Sequence, residues 1–309
     1  MNIIISLIEE KMNKKIIALS GANGFIGKNL NLLLMKNNYE VWPLVRVQKN
    51  NPKEIFYDYE KNLIEHEKLA QCYGVIHLAG ENLFNNFWSS DFKKKLRDSR
   101  IRSTLLIAKA LADLPNNSAK CFITASAIGI YGNRGEEELK EDSSVGKGFL
   151  ADLCIDWENA TSEVKECGIR TINTRIGLVL NEHNGLLKKL IPLFKLNLGA
   201  VLGDGKQYMS FISIDDLTKA FIFILENNSI DGPINFVCKK PLQNQEFSEI
   251  LAKCLHKKLL LSIPKFAIKL FGGMSEMFLS SQRVYPQKLI DNGFIFDYDS
   301  PESYLKKIY

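Results

Sequence analysis

Ser20-Gly-Ala-Asn-Gly-Phe-Ile-Gly27 decides the fold of this chain, because it joins a predicted strand to a predicted helix. The apolar run 15–19 before it is typical of a buried parallel strand, and residues 25–36 have a helical pattern. Its glycines recur at every third position: Gly21, Gly24 and Gly27. The first allows a tight turn, the second lets the backbone approach a pyrophosphate, and the third lets helix and strand pack closely. The stretch therefore predicts a dinucleotide-binding turn, with the phosphates at the helix N-terminus.

Strands and helices alternate through the first half of the chain, which is typical of a parallel, doubly wound sheet. Strands are predicted near residues 15–19, 40–46, 54–57, 74–79, 120–124 and 169–175. The longer helices are predicted at 25–36, 91–112 and 149–167. The fold class is therefore α/β, a Rossmann sheet with a smaller, partly interleaved C-terminal lobe. A cleft is expected between them, at the carboxyl ends of the strands.

The less regular second half sets the expected domain organisation. We expect an N-terminal extension at residues 1–13, a dinucleotide-binding Rossmann domain at 14–230 and a C-terminal lobe at 231–309. A strand at 234–237 is expected to return to the main sheet.

The end of the second predicted strand indicates which cofactor binds. Proteins that bind NAD place an acidic residue there for the ribose 2′-hydroxyl. This strand instead ends at Arg46, whose guanidinium suits a 2′-phosphate. We therefore expect NADP(H) in preference to NAD(H), with a solvated loop arginine as the alternative. The segment Leu78-Ala-Gly80, after the fourth strand, either allows close backbone approach to the cofactor or forms an ordinary turn of small residues.

Composition limits the classes of partner. A net charge of +5, from 40 basic and 35 acidic residues, favours an anionic ligand and gives no support to nucleic-acid binding. The four histidines have no metal-ligand spacing, so no metal site is expected. No apolar run is long enough to span a membrane, so no membrane partner is expected. The six cysteines form no CxxC pair, which favours reduced thiols in a cytoplasmic protein.

Several short motifs, in this order, resemble one family. They are Gly21-Ala-Asn-Gly-Phe-Ile-Gly27, His77-Leu-Ala-Gly-Glu-Asn82, Leu96-Arg-Asp-Ser-Arg100, Leu153-Cys-Ile-Asp-Trp-Glu158, Arg175-Ile-Gly-Leu-Val-Leu180, Gly203-Asp-Gly-Lys-Gln207 and Ser281-Gln-Arg-Val-Tyr-Pro286. The set resembles the atypical extended short-chain dehydrogenase/reductase superfamily. Within it, the chain is similar to NAD(P)-dependent epimerase-like proteins with a C-terminal domain of unknown function, here about 255–303. The resemblance implies cofactor contacts by these residues: Gly21, Asn23, Gly24, Phe25, Ile26, Gly27, Leu78, Ala79, Gly80 and Arg100.

The same resemblance shows what this chain lacks. Catalytic members of the superfamily use a Tyr and a Lys four residues later, on one face of a helix. Here those positions hold Leu150 and Cys154, counted back from Glu158. Leucine cannot exchange a proton, so the usual acid/base pair is absent, as it also is in the branch that the chain resembles.

Three residues are candidates to replace that pair. Ser126 follows the fifth strand, where the superfamily keeps its catalytic hydroxyl. Tyr131 is a second candidate, with a packing role as the alternative. Glu81 is the third, unless it bonds the cofactor ribose or a helix end. Arg175 opens toward the same cleft, where it either binds substrate or braces the loop.

Two functions follow from these observations. The first is an NADP(H)-dependent oxidoreductase or epimerase-like enzyme that acts on an unidentified small molecule with atypical acid/base residues. The alternative is a sensor or regulatory protein that binds NADP(H) without turnover. A homodimer stays open on the sequence.

Overall fold

The central sheet of the molecule has seven parallel strands and one short antiparallel edge strand. The computed structural model describes residues 14–48, 51–83, 88–115, 118–270 and 272–309. The expected N-terminal extension at 1–13 lies outside these residues. Strands β1 to β16, in chain order, are Ile16–Ser20, Glu40–Val45, Ile55–Asp58, Leu63–Ile64, Gly74–His77, Cys121–Ala127, Glu138–Leu139, Arg170–Ile176, Leu178–Asn181, Ala200–Leu202, Tyr208–Met209, Phe211–Ser213, Gly232–Phe236, Leu242–Gln243, Leu261–Ile263 and Arg283–Val284.

The strand order of the sheet is β13-β8-β6-β5-β1-β2-β3-β4. From β1 the chain winds outward through β2 and β3, and then crosses back to β5, β6, β8 and β13. The direction of winding therefore reverses between β1 and β5, which is where open α/β sheets bind ligands. The apolar run 15–19 lies centrally, with Ile17 opposite Val41 on one side and Gly74 on the other. Strand β13 pairs with β8, so the chain returns to the main sheet as the sequence predicts.

Helices cover both faces of the sheet. Helices α1 to α12 are Phe25–Lys36, His66–Leu69, Ser90–Ala112, Phe149–Asn159, Ser162–Glu166, Gly185–Lys195, Ile214–Glu226, Asn244–Cys254, Lys265–Lys269, Ser275–Leu279, Gln287–Asp291 and Pro301–Ile308. Leu30 and Leu34 of α1 pack with Phe221 of α7 in the core of one face. Leu111 of α3 and Val164 of α5 belong to the core of the other. This is the doubly wound α/β arrangement, which confirms the predicted fold class.

The helix predicted over 149–167 is wrong as a single element, because it is broken into α4 and α5. Thr161 lies between the two helices, and its hydroxyl donates to the Glu158 carbonyl at 2.7 Å. A hydroxyl that bonds back to its own helix competes with the backbone hydrogen bonds that would continue it. The break leaves Glu158 in the last turn of α4, facing the sheet.

The C-terminal lobe shares an apolar core with helix α6 of the preceding part of the chain. This core contains Leu187, Phe194, Phe247, Leu251 and Tyr304, from helices α6, α8 and α12. Phe211 of β12 stacks on Phe247 with ring centroids 4.5 Å apart. The lobe is interleaved with the sheet domain, because β16 pairs with β7 far earlier in the chain. None of the helices in the described ranges is long and apolar enough to cross a bilayer.

Candidate functional site

The glycine turn between β1 and α1 is closely packed. Gly24 N–H donates to the Gly21 carbonyl at 2.8 Å, and Gly21 has a φ of +68°. A Cβ on Gly27 would come within 2.1 Å of the Gly21 carbonyl oxygen. A Cβ on Gly21 would lie 3.1 Å from Ala79 N. The absence of a side chain at Gly21 and Gly27 therefore lets the turn, the start of α1 and the end of β5 approach one another closely, as the dinucleotide pattern requires.

The N-terminus of α1 suits an anion. Its N-cap is Gly24, no side chain caps it among the described residues, and its first turn holds no acidic residue. The first N–H groups of a helix have no partner within the helix, and the helix dipole places partial positive charge there. The turn therefore presents free donors to a phosphate, and it fits the pyrophosphate of a dinucleotide.

A buried hydrogen-bond chain fixes this end of the sheet. Ser20 Oγ accepts from Leu78 N and Ala79 N, each at 3.0 Å, so its own proton goes to His77 Nδ1 at 2.6 Å. His77 Nε2–H then donates to Ser103 Oγ at 2.9 Å. Burial, with a smaller effect of the Arg100 cation, lowers the pKa of His77 to about 3. His77 is therefore a neutral structural residue that ties β1 and β5 to helix α3.

A cleft of about 390 Å³ opens beside the glycine turn, at the carboxyl ends of β1, β2 and β5. Six of the eleven predicted cofactor residues line it: Gly21, Asn23, Gly24, Arg46, Ala79 and Gly80. The catalytic candidate Glu81 lines it too. Of the other five predicted contacts, Phe25, Ile26 and Leu78 pack against the core behind the turn, while Gly27 packs on Gly21 and Arg100 is buried. The volume of the cleft is within the range of small-molecule pockets. It lies at the reversal point of the strand order, so its position also fits a dinucleotide.

Arg46 also lines this cleft and is exposed to solvent. Tyr57 and Tyr59 line the cleft too. Burial raises the pKa of Tyr57 to about 12, although the Arg46 cation opposes this rise. The arrangement places a guanidinium beside aromatic surface, which suits an adenosine that carries a 2′-phosphate.

Arg100 is buried behind the cleft, and only 8% of its surface is exposed. Its guanidinium donates to the Glu81 carbonyl at 3.0 Å and lies over the Trp157 ring. A Cβ on Gly80 would come within 3.2 Å of the Arg100 Cζ. Arg100 thus supports the backbone that lines the cleft, and its contact with cofactor phosphates stays a prediction.

Ser126 lies at the end of β6 and is held by Glu158 of α4. Its hydroxyl donates to Glu158 Oε1 at 2.7 Å. Arg175 binds both oxygens of that carboxylate, at 2.9 Å and 3.0 Å. Because the hydroxyl proton is committed to Glu158, the Ser126 oxygen keeps only its capacity to accept a hydrogen bond. Ser126 is 3% exposed and is not among the residues that line the cleft.

Tyr131 and Arg175 are interior residues of a polar network. Tyr131 is fully buried, and its hydroxyl accepts from Arg175 Nη1 at 2.9 Å. It lies 2.8 Å from Asn235 Oδ1, within donating distance. Arg175 is 5% exposed, and it also donates to the Glu141 carbonyl at 3.1 Å. These contacts favour the alternatives of a packing aromatic and a bracing arginine over catalysis and substrate binding.

The two positions of the absent Tyr and Lys lie on one face of α4. Leu150 and Cys154 both lie against Gly129, where an added Cβ would be 3.4 Å and 3.7 Å away. Burial raises the pKa of the Cys154 thiol to about 12, so it stays protonated at neutral pH. The helix therefore carries neither a proton donor of ordinary acidity nor a cation at these positions.

Glu276 of the C-terminal lobe lies against the start of helix α4. Its carboxylate accepts a hydrogen bond from the Leu150 N–H, and burial raises its pKa. Its Oε1 lies 2.7 Å from where a Cβ of Gly148 would be, so the carboxylate packs directly on this glycine. A titratable carboxyl thus lies against the backbone of Leu150, the residue that replaces the tyrosine.

Sequence reasoning missed Glu276 as well as the roles of Glu158, Glu141 and Asn235. Asn235 N–H donates to Glu141 Oε1 at 3.0 Å, and Lys288 N–H donates to the same oxygen at 3.2 Å. The sequence does contain a signal for Glu158, because this residue ends one of the quoted motifs, one helical turn after Cys154. The other three pair across long stretches of chain, which no local pattern announces.

Comparisons with known proteins agree with this geometry. Residues 17–238 match the NAD dependent epimerase/dehydratase family, and residues 263–308 match a domain of unknown function, DUF1731. Epimerase family protein ML0860 of Mycobacterium leprae is 36% identical over 289 residues, covering 93% of each chain. The crystal structure of the human epimerase family protein SDR39U1, determined with NADPH, has a TM-score of 0.83. It is 27% identical and covers 95% of this chain and 98% of its own.

A second solved structure is the nucleoside-diphosphate sugar epimerase from Corynebacterium glutamicum, with a TM-score of 0.78 and 30% identity. That match covers 97% of this chain and 60% of the other. The comparisons confirm the resemblance seen in the motifs. The chain therefore belongs to the NAD dependent epimerase/dehydratase family, in the atypical extended group whose members carry a C-terminal DUF1731 domain.

Proposed function

We propose that this chain binds NADP(H) and uses it on a small molecule in an oxidoreductase or epimerase-like reaction with atypical acid/base residues. One observation carries the cofactor part: a single cleft joins the uncapped, acid-free N-terminus of α1 to Arg46. The pyrophosphate would lie on the glycine turn and a 2′-phosphate on Arg46. The NADPH in the human relative's structure supports this choice.

A titration of thermal stability tests the cofactor. We expect NADPH and NADP to stabilise the chain by about 2.7 kcal/mol at roughly 100 times the dissociation constant. NADH and NAD should need higher concentrations, because they lack the phosphate that pairs with Arg46. The variant Arg46→Glu should lose this preference, whereas Lys36→Glu, an equal charge change at the other end of α1, should keep it. A chain that none of the four dinucleotides stabilises would disprove cofactor binding.

The chemistry must come from groups other than a Tyr-Lys pair. The bound nicotinamide would supply or accept a hydride. Ser126 would accept a hydrogen bond from a substrate hydroxyl, while Glu158 and Arg175 hold it in place. Glu276 would exchange the proton, since its carboxyl lies against Leu150 and burial raises its pKa above the ordinary value. Glu81 lines the cleft beside Gly80, where it is better placed for the cofactor ribose.

Turnover separates the enzyme from the alternative. With NADPH and a panel of small carbonyl compounds, we expect cofactor oxidation that Ser126→Ala abolishes. Glu276→Gln should lower the rate and remove the ionisation of this carboxyl from the pH profile, without loss of NADPH binding. A profile and rate equal to those of the unchanged chain would exclude Glu276 from proton transfer.

A sensor that binds NADP(H) without turnover is the second candidate. Leu150 and the protonated, buried Cys154 thiol favour it, because the superfamily's proton-transfer pair is replaced by inert groups. Tight cofactor binding with no oxidation across the whole panel would favour the sensor over the enzyme.

A further inference from the structure

Two segments of the C-terminal half concentrate positive charge. Residues 183–203 and 250–275 contain no Asp or Glu. Together they carry eight lysines: Lys188, Lys189, Lys195, Lys253, Lys257, Lys258, Lys265 and Lys269. The whole chain has a net charge of only +5, so the rest of it has a net charge of −3. These two segments therefore account for the excess of positive charge in this protein.

The fold joins these two segments side by side. Strand β10 pairs in parallel with β15, with Ala200 opposite Leu261. Before the two strands, Lys258 N–H donates to Asn197 Oδ1 at 3.3 Å. At their ends, Gly203 N–H donates to the Ile263 carbonyl at 2.8 Å. We call residues 193–203 and 256–270 the cationic apolar face.

Large apolar side chains project from this face into solvent. The exposed ones are Leu193, Leu196, Leu198, Leu260, Leu261, Ile263, Phe266 and Leu270. Phe266 is 72% exposed and Leu270 81%, and they lie one turn apart along α9 and the residue that follows it. Single exposed leucines are ordinary on a protein surface, but a group of this kind between lysines marks an interaction site.

We propose that the cationic apolar face docks on the surface of an anionic lipid bilayer. The leucines and Phe266 would enter the boundary between headgroups and acyl chains, while Lys195, Lys257, Lys258 and Lys269 would lie among the lipid phosphates. Lys265 is paired with Asp204 at 2.8 Å and contributes less. This departs from the expectation of no membrane partner, which rested on the lack of a spanning segment and did not consider surface attachment.

The positive charge of the cationic apolar face distinguishes between its possible occupants. In a symmetric dimer the same patch meets itself, so the lysines of one copy would oppose those of the other. A nucleic acid would satisfy the lysines but would leave the apolar side chains in water. An anionic bilayer satisfies both groups of side chains at once, and it is the occupant that we propose.

Co-sedimentation of the full chain with lipid vesicles tests the proposal. The chain should bind vesicles of phosphatidylcholine with about 30% phosphatidylglycerol, and bind pure phosphatidylcholine vesicles far less. Binding should weaken as salt is raised, because salt screens exposed charges. An attraction of about 1 kcal/mol per lysine is about fivefold in partitioning, so Lys257→Glu with Lys258→Glu should weaken binding by about 25-fold or more. Phe266→Ser with Leu270→Ser should weaken it by on the order of tenfold.

Matched pairs on other helices serve as controls. Lys94→Glu with Lys95→Glu makes the same charge change at exposed positions of α3. Leu32→Ser with Met35→Ser removes exposed apolar side chains, 61% and 58% exposed, from α1. Both control pairs should bind like the unchanged chain, and thermal unfolding should show that all four variants are folded. No binding to anionic vesicles at low salt, or an equal loss in test and control pairs, would overturn the proposal.

Discussion

Gly27→Ala is expected to weaken NADP(H) binding strongly and to destabilise the chain. The new Cβ would lie 2.1 Å from the Gly21 carbonyl oxygen and 2.9 Å from the Ala22 Cα, and both neighbours are backbone atoms that cannot rotate away. Helix α1 would have to move from the turn, so its first N–H groups would leave the phosphates. Loss of two charge-assisted hydrogen bonds, about 1.5 kcal/mol each, weakens binding by roughly 100-fold or more.

Gly129→Ala is the matched control, because Gly129 follows strand β6 of the same sheet and does not have a positive φ. A Cβ there would meet the Leu150 Cβ at 3.4 Å and the Cys154 sulfur at 3.7 Å, which is normal packing distance. This variant should bind NADPH as the unchanged chain does. Calorimetric titration and thermal unfolding measure both variants. If Gly27→Ala bound NADPH with unchanged affinity, the glycine turn would not be the phosphate site.

The sheet domain was largely predictable from the sequence, because its signals are local. A buried apolar run, three glycines at fixed spacing and a helical pattern occupy one continuous stretch, and each is decided by neighbouring residues. Arg46 could be placed at the cleft for the same reason, since it follows the strand beside β1. The break between α4 and α5 was not predictable, because it depends on one hydroxyl of Thr161.

The candidate site was predictable only in part, because the contacts of its residues come from distant parts of the chain. Ser126 was placed from a motif, yet its acceptor Glu158 is 32 residues away. Tyr131 and Asn235 are 104 residues apart, and nothing near either residue indicates the contact. Glu276 reaches Leu150 from the other domain. The charge of the cationic apolar face was visible in the sequence, but the exposure of its leucines is a property of the folded chain.

The Glu158–Arg175 pair is expected to be the most important polar contact for stability among the described residues. Its two side chains are only 13% and 6% exposed, so water cannot replace either partner. Glu158→Ala would leave the Arg175 cation buried beside Tyr131 and would remove the acceptor of Ser126. Leaving such a charge without its partner costs about 3–5 kcal/mol, and we expect a loss of this size in the free energy of unfolding. Denaturant titration at neutral pH measures it.

Asp156→Ala provides the comparison on the same helix. Asp156 also pairs with an arginine, Arg97, but the two side chains are 42% and 38% exposed. Water screens such a pair, so its removal should cost less than about 1 kcal/mol. The double variant Glu158→Gln with Arg175→Met should recover much of the loss, because it removes the buried cation together with its partner. Equal losses for Glu158→Ala and Asp156→Ala would contradict this view of the network.

The consequence of Glu158→Ala should reach the C-terminal lobe. From Arg175 the network continues through Tyr131 to Asn235, whose side-chain amide donates to the Tyr285 carbonyl at 2.9 Å. Glu141 connects the same network to Lys288 of the lobe. Limited proteolysis should therefore cut the variant near residues 283–288 faster than the unchanged chain, and Asp156→Ala should not show this change. Because Glu276 approaches Leu150 from the same lobe, a loosened lobe would also displace the carboxyl that we assign to proton transfer.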